Sequence, residues 1–206
     1  MAKQTQLEEQ ILHAAEELFL EKGFGATSTT DIAKRVGCNQ ALVHYYFRTK
    51  ENLFQGIFTE KVNLILTYIT PESEKILDFE DALNRFIDYY FKILTENPNL
   101  PFFLIKELIM SEVRRNWIRK MLIEDERYLH FYYAWDKIVK AEIEKGRLRP
   151  IETMDLTLNV ISLIVFTFVS LPLYRDFFEQ NEAEIDAYLQ NRKAEVKKLI
   201  LNGILA

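Results

Sequence analysis

Residues 28–51, STTDIAKRVGCNQALVHYYFRTKE, constrain the fold more than any other stretch of this 206-residue chain. Ser28 stands three residues before Asp31, a spacing at which each side chain can satisfy backbone N–H groups at a helix start. Ile32, Ala33 and Val36 then fall on one face of the predicted helix. Gly37 follows at the position where a helix end favours a residue tolerant of positive φ. Asn39 is a good N-cap for a second helix, which Ala41 to Phe47 continue with Leu42, Val43, Tyr46 and Phe47 as its apolar side. Thr49 reads as a third N-cap, with Lys50 in the turn after it. Two short helices joined by a tight turn can present one helix to a DNA major groove. The same hairpin occurs in unrelated proteins, so its flanks decide what it means.

Upstream, Leu7, Ile11, Ala14, Ala15, Leu18 and Phe19 repeat at helical spacing, and Glu21-Lys22-Gly23-Phe24-Gly25 ends that helix. With these pieces in order, residues 7–58 resemble the DNA-binding domain of the tetracycline-repressor (TetR) family. The matching segments are AAEELFLEKGF, STTDIAKRVG, HYYF and KENLF. They cover about the first quarter of the chain. The remainder matches the family in length and helical character only. His44 stands where the family usually has tyrosine, Ala41 and Leu42 replace a common Gly-Thr pair, and Cys38 replaces a common valine.

Glycine and proline are sparse, 6 and 5 residues, which favours long helices. Apolar stripes predict a helix over 50–69, a break at Thr70-Pro71-Glu72-Ser73, and a second helix carrying Phe79, Leu83, Phe86, Ile87, Tyr90, Phe91 and Leu94. After a break at residues 97–101, a helix runs through Met110. One long pattern spans about 115–145 with Tyr128, Tyr132, Trp135, Ile138, Val139 and Ile143 inward, and helices near 153–170 and 181–202 close the chain. No segment sustains period-2 alternation, so the expected class is all-α. The expected organisation is a DNA-binding domain over 1–49 and a helical ligand-binding and dimerisation bundle over 50–206. The helix from 50 would join the two and could transmit a small displacement between them.

The net charge of −5 is unevenly spread. Residues 22–50 hold Lys22, Lys34, Arg35, Arg48 and Lys50 against Asp31 alone, +4, which leaves −9 for the rest. A local basic face on an acidic body suits phosphate binding without indiscriminate association. Within that face Gln40 is the base-reading candidate, because an amide can donate and accept as adenine N7 and N6 require. Asn39 lies beside it. Ala41 and Val43 could touch a thymine methyl, though Val43 reads equally as core. His44 could read a base or a phosphate, or pack on the first helix. Tyr45 or Tyr46 is expected to donate its hydroxyl to a phosphate, with the other ring buried. Lys50, with nearby helix N-terminal amides, is expected to grip a phosphate, and Arg48 is a further phosphate candidate. The family resemblance adds Thr27, Ser28 and Thr29, where the second helix approaches the backbone.

No catalytic constellation is legible. His13, His44 and His130 are scattered, Cys38 is the one cysteine, and no P-loop, GxSxG or dinucleotide glycine motif occurs. No enzyme activity, metal or cofactor is therefore expected. The single cysteine and the polar N-terminal segment, without a signal-peptide pattern, suit a cytoplasmic protein. Residues 156–174 form a run of 19 without charge. Asn159, Pro172 and the missing basic flank argue for burial against a partner subunit over a membrane span. Beside this run, Ile185, Leu189, Val196, Leu199 and Ile200 form a stripe, and a homodimer through the last two helices is expected. The aromatics Phe86, Tyr90, Phe103, Tyr128, Tyr132, Trp135 and Phe166 are candidates to line an apolar pocket, as the resemblance implies. The expected function is a repressor released from a palindromic double-stranded DNA operator by a small apolar effector. The alternative is a helical small-molecule carrier without sequence-specific DNA binding.

Overall fold

The computed structural model describes residues 2–69, 78–124 and 126–206. The expected break at 70–73 lies outside the described residues. The helical segments among the described residues are α1 (Ala2–Lys22), α2 (Thr29–Val36), α3 (Gln40–Phe47), α4 (Lys50–Ile69), α5 (Phe79–Glu96), α6 (Leu100–Met110), α7 (Glu112–Glu124), α8 (Glu126–Glu144), α9 (Thr153–Phe178) and α10 (Glu182–Ile204). Among the described residues there is no strand, only an isolated antiparallel bridge between Leu148 and Leu205. The class is all-α, as the periodicity predicts.

The chain divides into two compact units, Met1–Ile65 and Leu66–Ala206. The division falls inside α4, later than the 49/50 boundary expected from the sequence. The reason is packing. Leu53, Phe54, Ile57 and Phe58 of α4 are buried in the same core as Ile11, Ala14, Ala15, Leu18 and Phe19 of α1. Gly56 faces α1 closely enough that a Cβ there would meet Leu12 Cδ2 at 3.1 Å. The first turns of α4 are thus part of the small unit's core.

The three expected caps form. Ser28 and Asp31 make a reciprocal capping box, Asn39 Oδ1 accepts from Ala41 N, and Thr49 Oγ1 accepts from Asn52 N. Gly37 ends α2 at φ 75°, a left-handed conformation that costs glycine no Cβ clash.

In the second unit, α5 packs on α8, α9 and α10. Phe79, Leu83, Ile87, Phe91 and Leu94 meet a core that includes Val139, Leu156, Val160, Ile164, Phe168, Ile185, Leu189, Val196 and Ile200. Phe91 and Phe168 lie with ring centroids 5.7 Å apart. The helix expected over 115–145 is described as α7 and α8, on either side of residue 125, which lies outside the described residues.

Helix α9 is longer than expected, running through Pro172 to Phe178. Proline removes one ladder donor. α9 is long and apolar enough to cross a membrane by length and composition, with 33% of its most apolar window buried inside the unit. Leu156, Val160, Ile164, Phe168 and Leu171 face the core, while Leu158, Phe166, Leu173 and Phe177 are exposed. Of the expected α10 stripe, Ile185, Leu189, Val196 and Ile200 are consumed within the unit, and Leu199 is exposed.

Candidate nucleic-acid interface

Helix α3 is seated by Val43 and Phe47, both buried. Val43 is therefore core, and its alternative role at a thymine methyl is withdrawn. Leu42, expected on the apolar side, is instead 38% exposed, because α3 is only two turns long and its seat is narrow. Asn39, Gln40, Ala41, His44, Tyr45 and Arg48 are exposed beside it, with Thr29 partly exposed at the start of α2. Tyr45 is 69% exposed and meets the half-buried Tyr46 ring edge-on at 5.3 Å. Of the pair, Tyr45 is thus the exposed ring and Tyr46 the partly buried one.

Two of the expected contacts are occupied by the fold itself. Thr27 is buried, and its hydroxyl lies 3.0 Å from Leu18 O and 2.9 Å from Gly23 O. It closes the loop between α1 and α2 and has no face for a phosphate. Lys50 Nζ donates to Phe24 O at 2.7 Å and Thr27 O at 2.8 Å, lies 3.5 Å from Gly25 O, and sits 4.3 Å from the Phe24 ring centroid. An ammonium has three donors and all three directions are taken. Lys50 holds the α1–α2 loop onto α4, which replaces the expected phosphate grip. The sequence signal for this was present in Phe24 and Gly25, but the return of a loop upon a lysine 25 residues later leaves no periodic trace.

The basic face is smaller than the charge count suggests. Arg35 pairs with Glu17 at 3.1 Å and Glu21 at 2.8 Å. The Arg35 hydrogen bond holds the Glu21 carboxyl below its usual range, and both glutamates push the guanidinium upward. Hydrogen bonds from the Ser28 hydroxyl and backbone N–H likewise lower Asp31. Ser28 is thus engaged as a cap. Lys22, Lys34 and Arg48 remain as exposed cations of the segment, and Lys34 was not among the site candidates.

The base-reading face is linked by hydrogen bonds. Gln40 Nε2 donates to Thr29 Oγ1 at 3.0 Å and lies 3.4 Å from His44 Nε2. Thr29 Oγ1 lies 3.5 Å from the same nitrogen. His44 Nδ1 meets Arg48 O at 3.0 Å. Arg48 closes α3 at φ 61°, where a non-glycine residue is strained. His44 therefore neither packs on the first helix nor stands alone. It bridges Gln40 to the helix end.

Residues 11–57 match the family model described as bacterial regulatory proteins, tetR family. The first unit thus carries the DNA-binding domain of that family. It is 26% identical over 150 residues to the fatty acid metabolism regulator protein of Bacillus subtilis, covering 72% of this chain and 73% of that protein. It is 44% identical over 51 residues to the transcriptional regulator QacR of Staphylococcus aureus, 25% of this chain and 27% of QacR. That stretch is of the helix-turn-helix unit's size. The fatty acid degradation regulator FadR from Bacillus halodurans shares the fold, with a TM-score of 0.72 at 21% identity, over 96% of this chain and 95% of that one. Carrying that domain, the chain is a DNA-binding transcriptional regulator, and the carrier alternative is not favoured.

The aromatic candidates of the second unit separate by position. Phe103 and Trp135 are buried, and Phe86, Tyr90, Tyr128 and Tyr132 are partly buried. Phe86 stacks on Phe131 at 6.3 Å and meets Tyr90 at 5.7 Å. Burial pushes the Tyr90 phenol up to about 12, so it stays neutral. Trp135 stacks on Phe79 at 5.5 Å and donates to Thr157 Oγ1 at 3.2 Å. Phe166 is 69% exposed and cannot line an interior pocket, because it stands two residues from each of the inward-facing Ile164 and Phe168, about 200° round the helix. Among the described residues no three His, Cys, Asp or Glu side chains stand together as a metal site would need.

Proposed function

We propose that this TetR-family regulator binds a roughly palindromic operator as a homodimer and is released by a small, mostly apolar effector held in the second unit. The observation that carries the DNA half is the exposed, hydrogen-bonded face of Thr29, Gln40 and His44, presented by a helix whose Val43 and Phe47 are buried. Gln40 reads a base with His44 supporting its amide, Ala41 and Leu42 meet thymine methyls, and Tyr45, Arg48 and Lys34 hold phosphates. The occupied donors of Lys50 and the burial of Thr27 take both residues out of the contact list.

The effector half rests on Phe86, Phe131, Tyr90 and Tyr132, half-buried rings of α5 and α8, two helices that pack together. Relatives named for fatty acid metabolism and degradation support an acyl compound as the class to test first. Helix α4 is continuous across the 65/66 division, so its displacement is the route by which an effector would alter the DNA unit. The dimer half rests on the exposed α9 residues Leu158, Phe166, Leu173 and Phe177, with Leu199 of α10. A stripe of that size is characteristic of a covered surface.

The test is selection of duplexes from a random pool, followed by titration of the selected operator with and without acyl compounds. A palindromic motif whose affinity falls with effector supports the reading. Reciprocity then requires the operator to weaken effector binding by the same factor. Recovery of no common motif would sink it.

A further inference from the structure

Gln40 is the natural candidate to read adenine with both ends of its amide. The geometry points to something narrower: His44 holds the Gln40 amide so that only its carbonyl oxygen faces the groove. This rests on the proposed DNA-reading role of α3. The Arg48 carbonyl oxygen is a pure acceptor, so the His44 Nδ1 that meets it at 3.0 Å carries the proton. In the neutral ring the other nitrogen, Nε2, is then a lone pair and can only accept. Two donors converge on it, Gln40 Nε2 at 3.4 Å and the Thr29 hydroxyl at 3.5 Å. A Gln40 amide turned the other way would set its oxygen against that lone pair, which is repulsive. Thr29 alone could not decide the matter. A hydroxyl donates or accepts, so Thr29 Oγ1, which takes a bond from Gln40 Nε2 at 3.0 Å, would serve either orientation. His44 is therefore the positioning residue and Thr29 follows it.

With both Nε2 hydrogens directed inward, Gln40 offers the groove an acceptor only. In the major groove, donors are the amino groups of adenine N6 and cytosine N4, whereas guanine and thymine present acceptors. The base facing Gln40 is thus selected for bearing an amino group. A two-ended amide would select adenine alone. Tyrosine, the family's usual residue at position 44, has no ring nitrogen and could not impose this choice.

The experiment compares selected operator sequences for the full-length protein, Gln40→Glu, Thr29→Val and His44→Phe, alongside long-range ¹H–¹⁵N spectra of the three histidines. The expected result is about equal use of adenine and cytosine at one position, with guanine and thymine disfavoured about tenfold. Gln40→Glu, which can only accept, keeps that pattern, as does Thr29→Val. His44→Phe loses discrimination against guanine there, while preferences elsewhere in the motif persist. The spectra place the His44 proton on Nδ1. Adenine alone at that position, with the preference lost in Gln40→Glu and kept in His44→Phe, overturns the inference, as does a proton on Nε2. If His44→Phe does not fold, the Gln40→Glu pattern and the spectra decide. A wild-type selection that yields no motif overturns the DNA-reading role instead.

Discussion

Lys61 Nζ of α4 stands 3.0 Å from Glu16 Oε2 of α1, with the lysine side chain 9% and the glutamate 23% exposed. Five residues earlier, Gly56 lets the same two helices approach closely. The pair fixes α4 to α1 near the division of the two units. Removing one partner of a nearly buried pair strands a charge, whereas removing both does not. Glu16→Ala should cost about 2 kcal/mol in denaturant unfolding, and the double variant Glu16→Ala, Lys61→Met should recover most of it. A double variant no more stable than Glu16→Ala would show that the lysine is not stranded.

The clasp made by Lys50 gives a test that separates stability from DNA contact. Lys50→Met keeps the aliphatic stem over Phe24 and loses the bonds to Phe24 O and Thr27 O. Stability should fall by about 1–2 kcal/mol. The slope of log affinity against log salt should stay unchanged, whereas each lost phosphate contact would lower it by about 0.9. Lys34→Ala should show the opposite pattern, a reduced slope with unaltered unfolding. A reduced slope in Lys50→Met, measured on operator DNA, would restore Lys50 to the phosphate contacts.

Elements with local signals were legible in the sequence. The Ser28–Asp31 box, Gly37, Asn39 and Thr49 each depend on neighbours within four residues, and each forms. What was not legible depends on chain segments far apart. The burial of Thr27 is set by Leu18 and Gly23 together, and the occupation of Arg35 by Glu17 and Glu21 across a helix pair. Within the uncharged run 156–174, nothing in the sequence separates the inward Ile164 and Phe168 from the outward Phe166. A helix apolar on all sides has no periodic contrast from which to tell the two faces apart.

Arg48 combines strain with charge, and its two effects can be separated. At φ 61° its backbone suits glycine, while its side chain is exposed beside the recognition helix. Arg48→Gly should leave folding unchanged or raise stability by up to about 1 kcal/mol, and Arg48→Ala should not. Both should weaken binding to all sequences alike and lower the salt slope by about one. Loss of affinity confined to particular base pairs would assign Arg48 to base reading.

Acid should find a specific weakness in the second unit. Glu142 accepts from Arg147 and then from Lys145, which together hold its carboxyl at about 2, below its ordinary 4.5. A carboxyl depressed in the folded state stabilises above its unfolded value, and that contribution fades as pH falls through the folded one. Stability attributable to this group is thus complete above about 4.5 and is lost between about 4.5 and 2. Glu142→Gln should be less stable than the parent at pH 7, and the difference should shrink toward pH 2. A difference independent of pH would place the effect in packing, not charge.

The outward face of α9 is the proposed dimer seam. Leu158, Phe166, Leu173 and Phe177 lie at spacings of 8, 7 and 4 residues, which keep one side of a helix, and all are more than half exposed. The core of the unit does not need them, since Leu156, Val160, Ile164 and Phe168 already fill the opposite side. A charge set into a buried two-fold seam meets its own symmetry mate and is doubly unfavourable. Phe166→Glu with Leu173→Glu should therefore convert a dimer at micromolar concentration into a monomer by sedimentation, with helicity retained in circular dichroism. Operator affinity should fall with it, because one half-site supplies only part of the contacts. A double variant that remains dimeric would move the seam off this face of α9.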